Sequence, residues 1–169
     1  TPRIDARKDG AIGWLVFDNP ARRNAVSIGM WEAIPGVLDD FAADPAIRVV
    51  VLAGAGDRAF VSGADISQFE SQRSAPEAVR RYEEIGEAAQ SKLQDFDKPT
   101  IAMIRGYCIG GGVNIAAACD LRLAADDARF SIPAAKMGLG YRASSMKKLV
   151  DIVGAAYAKE IMITARQFS

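Results

Sequence analysis

The apolar residues of the chain change their spacing several times, and each change marks an element. Ile12, Trp14 and Val16 alternate with their neighbours, the period of two that a strand presents. Asp9-Gly10 stands just before them and is a strong hairpin signal. Residues 3–8 and 11–18 are therefore expected to pair, with Leu15 and Phe17 sometimes joining the apolar set, until Asn19-Pro20 breaks the second strand. Ser27 is a good helix cap. Met30, Ile34, Val37, Leu38 and Phe41 follow it at helical spacing, which assigns them to a core rather than to a site. Pro35 should kink or shift this helix, and Asp44-Pro45 ends it. Arg48 to Ala53 is a continuous apolar strand, as in a parallel sheet buried on both faces. Gly54 to Asp57 is a loop, and residues 70–76 are loose and polar. From Glu77 to Phe96 an amphipathic helix carries Val79, Tyr82, Ile85, Ala89 and Leu93 on one face. Arg80, Arg81, Glu83, Glu84 and Glu87 make its solvated face.

The pattern is densest around Gly110-Gly111-Gly112. Thr100 to Arg105 reads as a short buried strand after Pro99, and Gly106-Tyr107-Cys108-Ile109 turns the chain. After the glycines, Val113 to Cys119 is a buried helix, and Asp120 to Ala125 a second short strand. A strand that turns through glycines into a helix leaves free N–H groups beside a positive helix end. Such a turn suits an anion or a developing oxyanion, or it serves close packing alone. The run is neither the spaced dinucleotide fingerprint nor a P-loop. Met137 to Tyr141 is a glycine-rich loop. Ser144 or Ser145 then caps a helix to about Val153, and Ala155 to Thr164 forms another. Alternating short strands and helices make this an α/β protein.

Composition narrows the chemistry. The chain has 169 residues, enough for one domain with a sizeable core. Its formal net charge is zero, which argues against nucleic acid or an anionic membrane as a main partner. There is no histidine, so His-based triads, His general bases and His metal ligands are all excluded. Cys108 and Cys119 sit in apolar surroundings and read as buried thiols, not as a disulfide or metal site. The polar N-terminus lacks a signal peptide's apolar core, and no stretch approaches the ~18 apolar residues of a membrane span. A soluble, cytoplasmic protein is expected.

Ala59-Phe-Val-Ser-Gly-Ala-Asp-Ile66, Gly106-Tyr-Cys-Ile-Gly-Gly-Gly112 and Cys119-Asp-Leu-Arg-Leu-Ala-Ala125 together resemble the crotonase (enoyl-CoA hydratase/isomerase) superfamily. The likeness extends through Ala128 to Pro133 and Met137 to Leu139, and Pro20 to Val26 is similar to the superfamily's segment near the start. It covers essentially the whole chain. It implies a spiral of ββα units forming one acyl-CoA-binding core over residues 1–169, with the ligand between adjacent turns. Ile163 to Ser169 resembles a segment midway through the superfamily's last third. The C-terminal helices that cover the site and support trimers are thus expected to be missing from this chain. The full protein is expected to be a homotrimer or a dimer of trimers.

The resemblance also implies a coenzyme A thioester as ligand, with no cofactor beyond the coenzyme A of the substrate. Its reactive oxygen would lie between the backbone N–H groups of Ala64 and Gly111. Asp65, Ile66 and Ser67 would line the adenine and pantetheine path, although Asp65 equally suits a cap or turn. Arg22 and Arg23 are candidates for the coenzyme A phosphates, or are simply solvated. Typical hydratases carry two glutamates across the substrate double bond. Here those positions hold Asn114 and Ala134, and Asn is no general base near neutral pH. Ordinary two-glutamate hydration is therefore in question. Tyr141 stands where the superfamily's decarboxylases look similar, and either binds a substrate carboxylate or is a half-buried loop residue. Lys136 and Arg142 flank it, either to pair with an acid substrate or as surface charges, and Glu84 or Glu87 could replace the missing carboxylates. The expected function is an enoyl-CoA hydratase/isomerase-type enzyme that stabilises an enolate. The alternatives are a decarboxylase of a malonyl-type CoA thioester and a non-catalytic acyl-CoA binder.

Overall fold

A computed structural model describes residues 1–65 and 76–169. The first two strands, β1 (Arg3–Asp9) and β2 (Ile12–Asp18), form the expected antiparallel hairpin around Gly10, whose φ of 55° suits the turn. β2 departs from simple alternation. Leu15 and Phe17 are fully buried and Val16 nearly so, while Ile12 and Trp14 are only half-buried. The reason is that β2 has neighbours on both edges and buries both faces, pairing parallel with β3 (Val49–Gly54).

Helix α1 (Ile28–Ala43) starts at Ser27, whose hydroxyl accepts the Met30 N–H at 3.3 Å. It runs on through Pro35 as one element, and it buries Met30, Trp31, Ile34, Leu38 and Phe41. β4 (Ala59–Val61) follows β3, and α2 (Pro76–Gln94) packs against α1. Of the segment expected to be loose, residues 70–75 lie outside the described residues, as do Ile66 and Ser67.

Next come β5 (Thr100–Ile104), β6 (Tyr107–Ile109), α3 (Gly111–Ala118), β7 (Leu121–Ala124) and β8 (Arg129–Ser131). β1-β2-β3-β5-β7 make a five-stranded sheet, and β4-β6-β8 a smaller, parallel, three-stranded one. This corrects the reading of Gly106 to Ile109 as a plain turn: Tyr107–Ile109 is the central strand of the small sheet. Three residues are too few to display a period. The helix after the glycines starts at Gly111, two residues early, because Gly110 (φ 55°, ψ −111°) is its N-cap.

The last helix, α4 (Ala143–Thr164), is broken at Gly154, whose φ is 77°. That break matches the two expected helical pieces. The serine cap does not form: Arg142 occupies the cap position without a side-chain bond, and the Ser144 hydroxyl donates to Glu87 instead. One hydrophobic core joins β2, α1, β3 and α3, and a second, around Ile132, Ala134, Leu149 and Ala158, seats α4. No helix among the described residues is long and apolar enough to cross a membrane.

Candidate active site

Ala64 is positioned by the segment that precedes α1. The Val26 N–H donates to the Gly63 carbonyl at 2.8 Å, and the Asp65 N–H donates to the Val26 carbonyl at 3.0 Å. This bridge uses the Gly63 carbonyl and the Asp65 N–H, one on either side of Ala64, and turns the Ala64 N–H the other way. Two buried asparagines that the sequence reading passed over hold the arrangement. Asn24, at a φ of 58°, donates to the carbonyls of Ala55 (3.0 Å) and Ala59 (2.7 Å). Asn19 donates to the Ala25 carbonyl at 2.9 Å and to the Asp65 carboxylate at 3.3 Å. The signal for them was Asn next to Pro and next to a left-handed turn, which reads only as a break until the partners are known.

Gly111 comes from the other direction. The Gly110 N–H is held by the Ser131 carbonyl at 2.8 Å, and the Val113 and Asn114 N–H groups return to the Gly110 carbonyl. That leaves the Gly111 N–H at the open end of α3. A Cβ at Gly111 would sit 3.8 Å from the Gly63 Cα, so the two turns touch through backbone. Neither the Ala64 nor the Gly111 N–H has an acceptor among the described residues.

Both face one cavity of about 340 Å³ that also takes in Asn114 and Tyr141. Four residues from three parts of the chain thus meet. The Tyr141 hydroxyl donates to Asn114 Oδ1 at 2.9 Å. Burial pushes the Tyr141 pKa up to about 12, so the phenol is a neutral donor across the physiological range. With Oδ1 occupied, the two Nδ2 hydrogens of Asn114 have no acceptor among the described residues and can serve a ligand. Trp31 and Tyr82 close the next side. The Trp31 indole N–H donates to the Tyr82 hydroxyl, which donates to the Val26 carbonyl, each at 2.8 Å. Burial also raises Tyr82 to about 12. The sequence reading had given Tyr82 to the core face of its helix.

The side-chain wall comes from α2 and the start of α4. Arg142 reaches across and pairs with Glu83 (2.8 Å) and with Glu87. Glu83 and Glu87 line the cavity, whereas Glu84 points to solvent beside Arg80. Ala134 is buried in the second core and is not a wall of this cavity. Lys136 is exposed. Arg23 lies outside the cavity, with its guanidinium 5.1 Å from the centre of the Tyr107 ring. Asp65 and Arg22 line a second surface depression, near the N-terminus.

Known proteins resemble this chain in sequence and in fold. The sequence profile of the enoyl-CoA hydratase/isomerase family matches residues 7–169. The chain is 33% identical to the peroxisomal Delta(3,5)-Delta(2,4)-dienoyl-CoA isomerase of Arabidopsis thaliana, covering 98% of this chain and 63% of that protein. It is 30% identical to the short-chain-enoyl-CoA hydratase of Clostridium acetobutylicum, over 94% of this chain and 60% of the relative. An enoyl-CoA hydratase/carnithine racemase structure from Magnetospirillum magneticum superimposes with a TM-score of 0.93 at 32% identity, covering 98% of this chain and 62% of that one. The chain therefore spans about three fifths of the length of these relatives.

Proposed function

The chain belongs to the enoyl-CoA hydratase/isomerase family, and we propose that its cavity holds the acyl end of an acyl-CoA thioester and stabilises the enolate formed there. The observation that carries this reading is the pair of acceptor-free backbone N–H groups of Ala64 and Gly111, set side by side at the cavity floor. Enolisation moves negative charge onto the thioester oxygen. Fixed donors stabilise that charge without reorganising, and one such donor lowers the barrier by roughly 3–4 kcal/mol. The Asn114 amide and the neutral Tyr141 hydroxyl add polarity near the reacting carbon.

Proton transfer in a two-glutamate hydration has no counterpart at Asn114 and Ala134. Of the two α2 carboxylates that line the cavity, Glu87 is the one that contacts both Arg142 and Ser144, and we assign it as the candidate base for an isomerase or hydratase reaction. The Tyr141–Asn114 pair favours a second reading, decarboxylation of a malonyl-type thioester. There the bond from the α-carbon to the carboxylate breaks and carbon dioxide leaves. The electron pair delocalises onto the thioester oxygen between the two N–H donors, and water later protonates the α-carbon. No base is needed, and Asn114 would orient the departing carboxylate.

The test is to titrate the protein with crotonyl-CoA and with methylmalonyl-CoA by calorimetry and to follow each for turnover. Binding of an acyl-CoA and turnover that falls about 100- to 1000-fold in Gly111→Pro support the oxyanion site. Proline suits the first position of a helix, so that variant removes the donor while keeping α3. Hydration of crotonyl-CoA with methylmalonyl-CoA untouched discards decarboxylation. Binding without any turnover leaves an acyl-CoA binder, and no binding of either thioester overturns the reading.

A further inference from the structure

On the reading of the cavity as an acyl-CoA site, we infer that Lys148 selects acyl chains whose far end carries a second carboxylate. Lys148 lies on α4 one turn beyond Ser144, on the face that looks into the cavity. It is half-buried, and it has no hydrogen-bond or ion-pair partner among the described residues. The other cation of the cavity, Arg142, is already paired with Glu83 and Glu87. Among the described residues, Lys148 is therefore the unpaired positive charge of this wall.

Its surroundings argue against a plain hydrocarbon chain. Gln90, Ser91 and Gln94 on α2 and Ser145 on α4 line the same cavity. Acyl methylenes laid against them would bury amide, hydroxyl and ammonium groups without hydrogen bonds, which is costly. A carboxylate satisfies the ammonium and accepts from the amides and hydroxyls as well. Two carboxylates, Asp95 and Glu87, act on Lys148 through space, but neither is within ion-pair distance. Burial lowers the Lys148 pKa more than these neighbours raise it, which marks a cation short of a counter-charge.

The experiment compares glutaryl-CoA with pentanoyl-CoA, which match in chain length and differ in the terminal carboxylate, by calorimetric titration. The expected result is glutaryl-CoA binding about tenfold or more tightly, that preference collapsing toward parity in Lys148→Met and surviving in Lys148→Arg. Circular dichroism checks that the variants fold. If Lys148→Met does not fold, the unaltered protein still decides the matter: a preference that shrinks from low to high salt supports the charge contact, and one that does not overturns it. Parity in the unaltered protein, or a preference that persists in Lys148→Met, overturns the role of Lys148 while leaving the acyl-CoA site standing. If neither thioester binds, the acyl-CoA reading itself falls and this inference with it.

Discussion

The donor wall of the cavity, built from the Ala64 bridge and the Gly110–Gly112 turn, keeps its shape by different means from the opposite wall of α2 and the start of α4. The donor wall is backbone against backbone. A Cβ at Gly112 would lie 2.2 Å from the Val61 carbonyl oxygen, and one at Gly106 would lie 2.1 Å from that of Arg58. Nothing in such contacts can yield by rotating a side chain. The facing wall is made of long side chains joined by ion pairs whose members are 41–51% exposed. Electrostatic catalysis asks for donors that do not move, whereas discrimination among acyl groups asks for side chains that can be exchanged. On the proposed acyl-CoA reading, the division between the two walls serves that difference.

The contrast is sharpest between neighbouring glycines. Gly112→Ala should destabilise the protein by on the order of 4 kcal/mol, because backbone at 2.2 Å leaves the new methyl no space. Gly111→Ala meets only ordinary contact at 3.8 Å and should change stability by less than about 1 kcal/mol. Urea unfolding of the two variants tests this, and equal losses would mean that the turn is not packed as described.

A smaller effect comes from the two buried phenols. The unfolded chain releases the tyrosine proton near the ordinary pKa of 10.0, while Tyr82 and Tyr141 hold theirs to about 12. The tyrosines' contribution to stability is therefore fully present below pH 10 and is lost as pH rises through about 12, by on the order of 3 kcal/mol per tyrosine. Cys119, raised by burial from its ordinary 9.0 to about 12, adds a loss that begins about one pH unit earlier, near pH 9. Unfolding measured against pH should show the loss, and it should be reduced in a Tyr82→Phe, Tyr141→Phe double variant. Tyr141→Phe alone should cost about 1 kcal/mol at neutral pH, since Asn114 Oδ1 loses its donor.

The donor wall was the part legible in the sequence. Glycine runs and the short motifs around Ala64 and Gly111 report backbone requirements, and backbone requirements leave few residue choices. The larger strands and helices α1 and α2 followed from apolar spacing, and α3 from the apolar run after the glycines. The small sheet did not, because β4, β6 and β8 have three residues each. Asn19 and Asn24 were missed because their acceptors lie up to 46 residues away. The facing wall was least legible. A charge on an amphipathic helix looks the same whether it meets water or a cavity, so Glu83 and Glu87 could not be told from Glu84.

That ambiguity sets the last and smallest effect. Arg142 pairs with Glu83 and Glu87, yet all three side chains are 41–51% exposed. Ion pairs of this kind pay in side-chain order what they gain in attraction and typically contribute below about 1 kcal/mol. Arg142→Ala should therefore lower stability by under about 1 kcal/mol, and less at high salt, where exposed charges are screened. Its functional effect should be larger than its structural one. Removing the guanidinium frees the two carboxylates that face the cavity, and two like charges there repel an anionic acyl group. The measurement is a stability curve beside the affinities of a neutral and an acidic acyl-CoA. A loss of several kcal/mol in stability would show that the side-chain wall is built as rigidly as the donor wall, and the division between them would not hold.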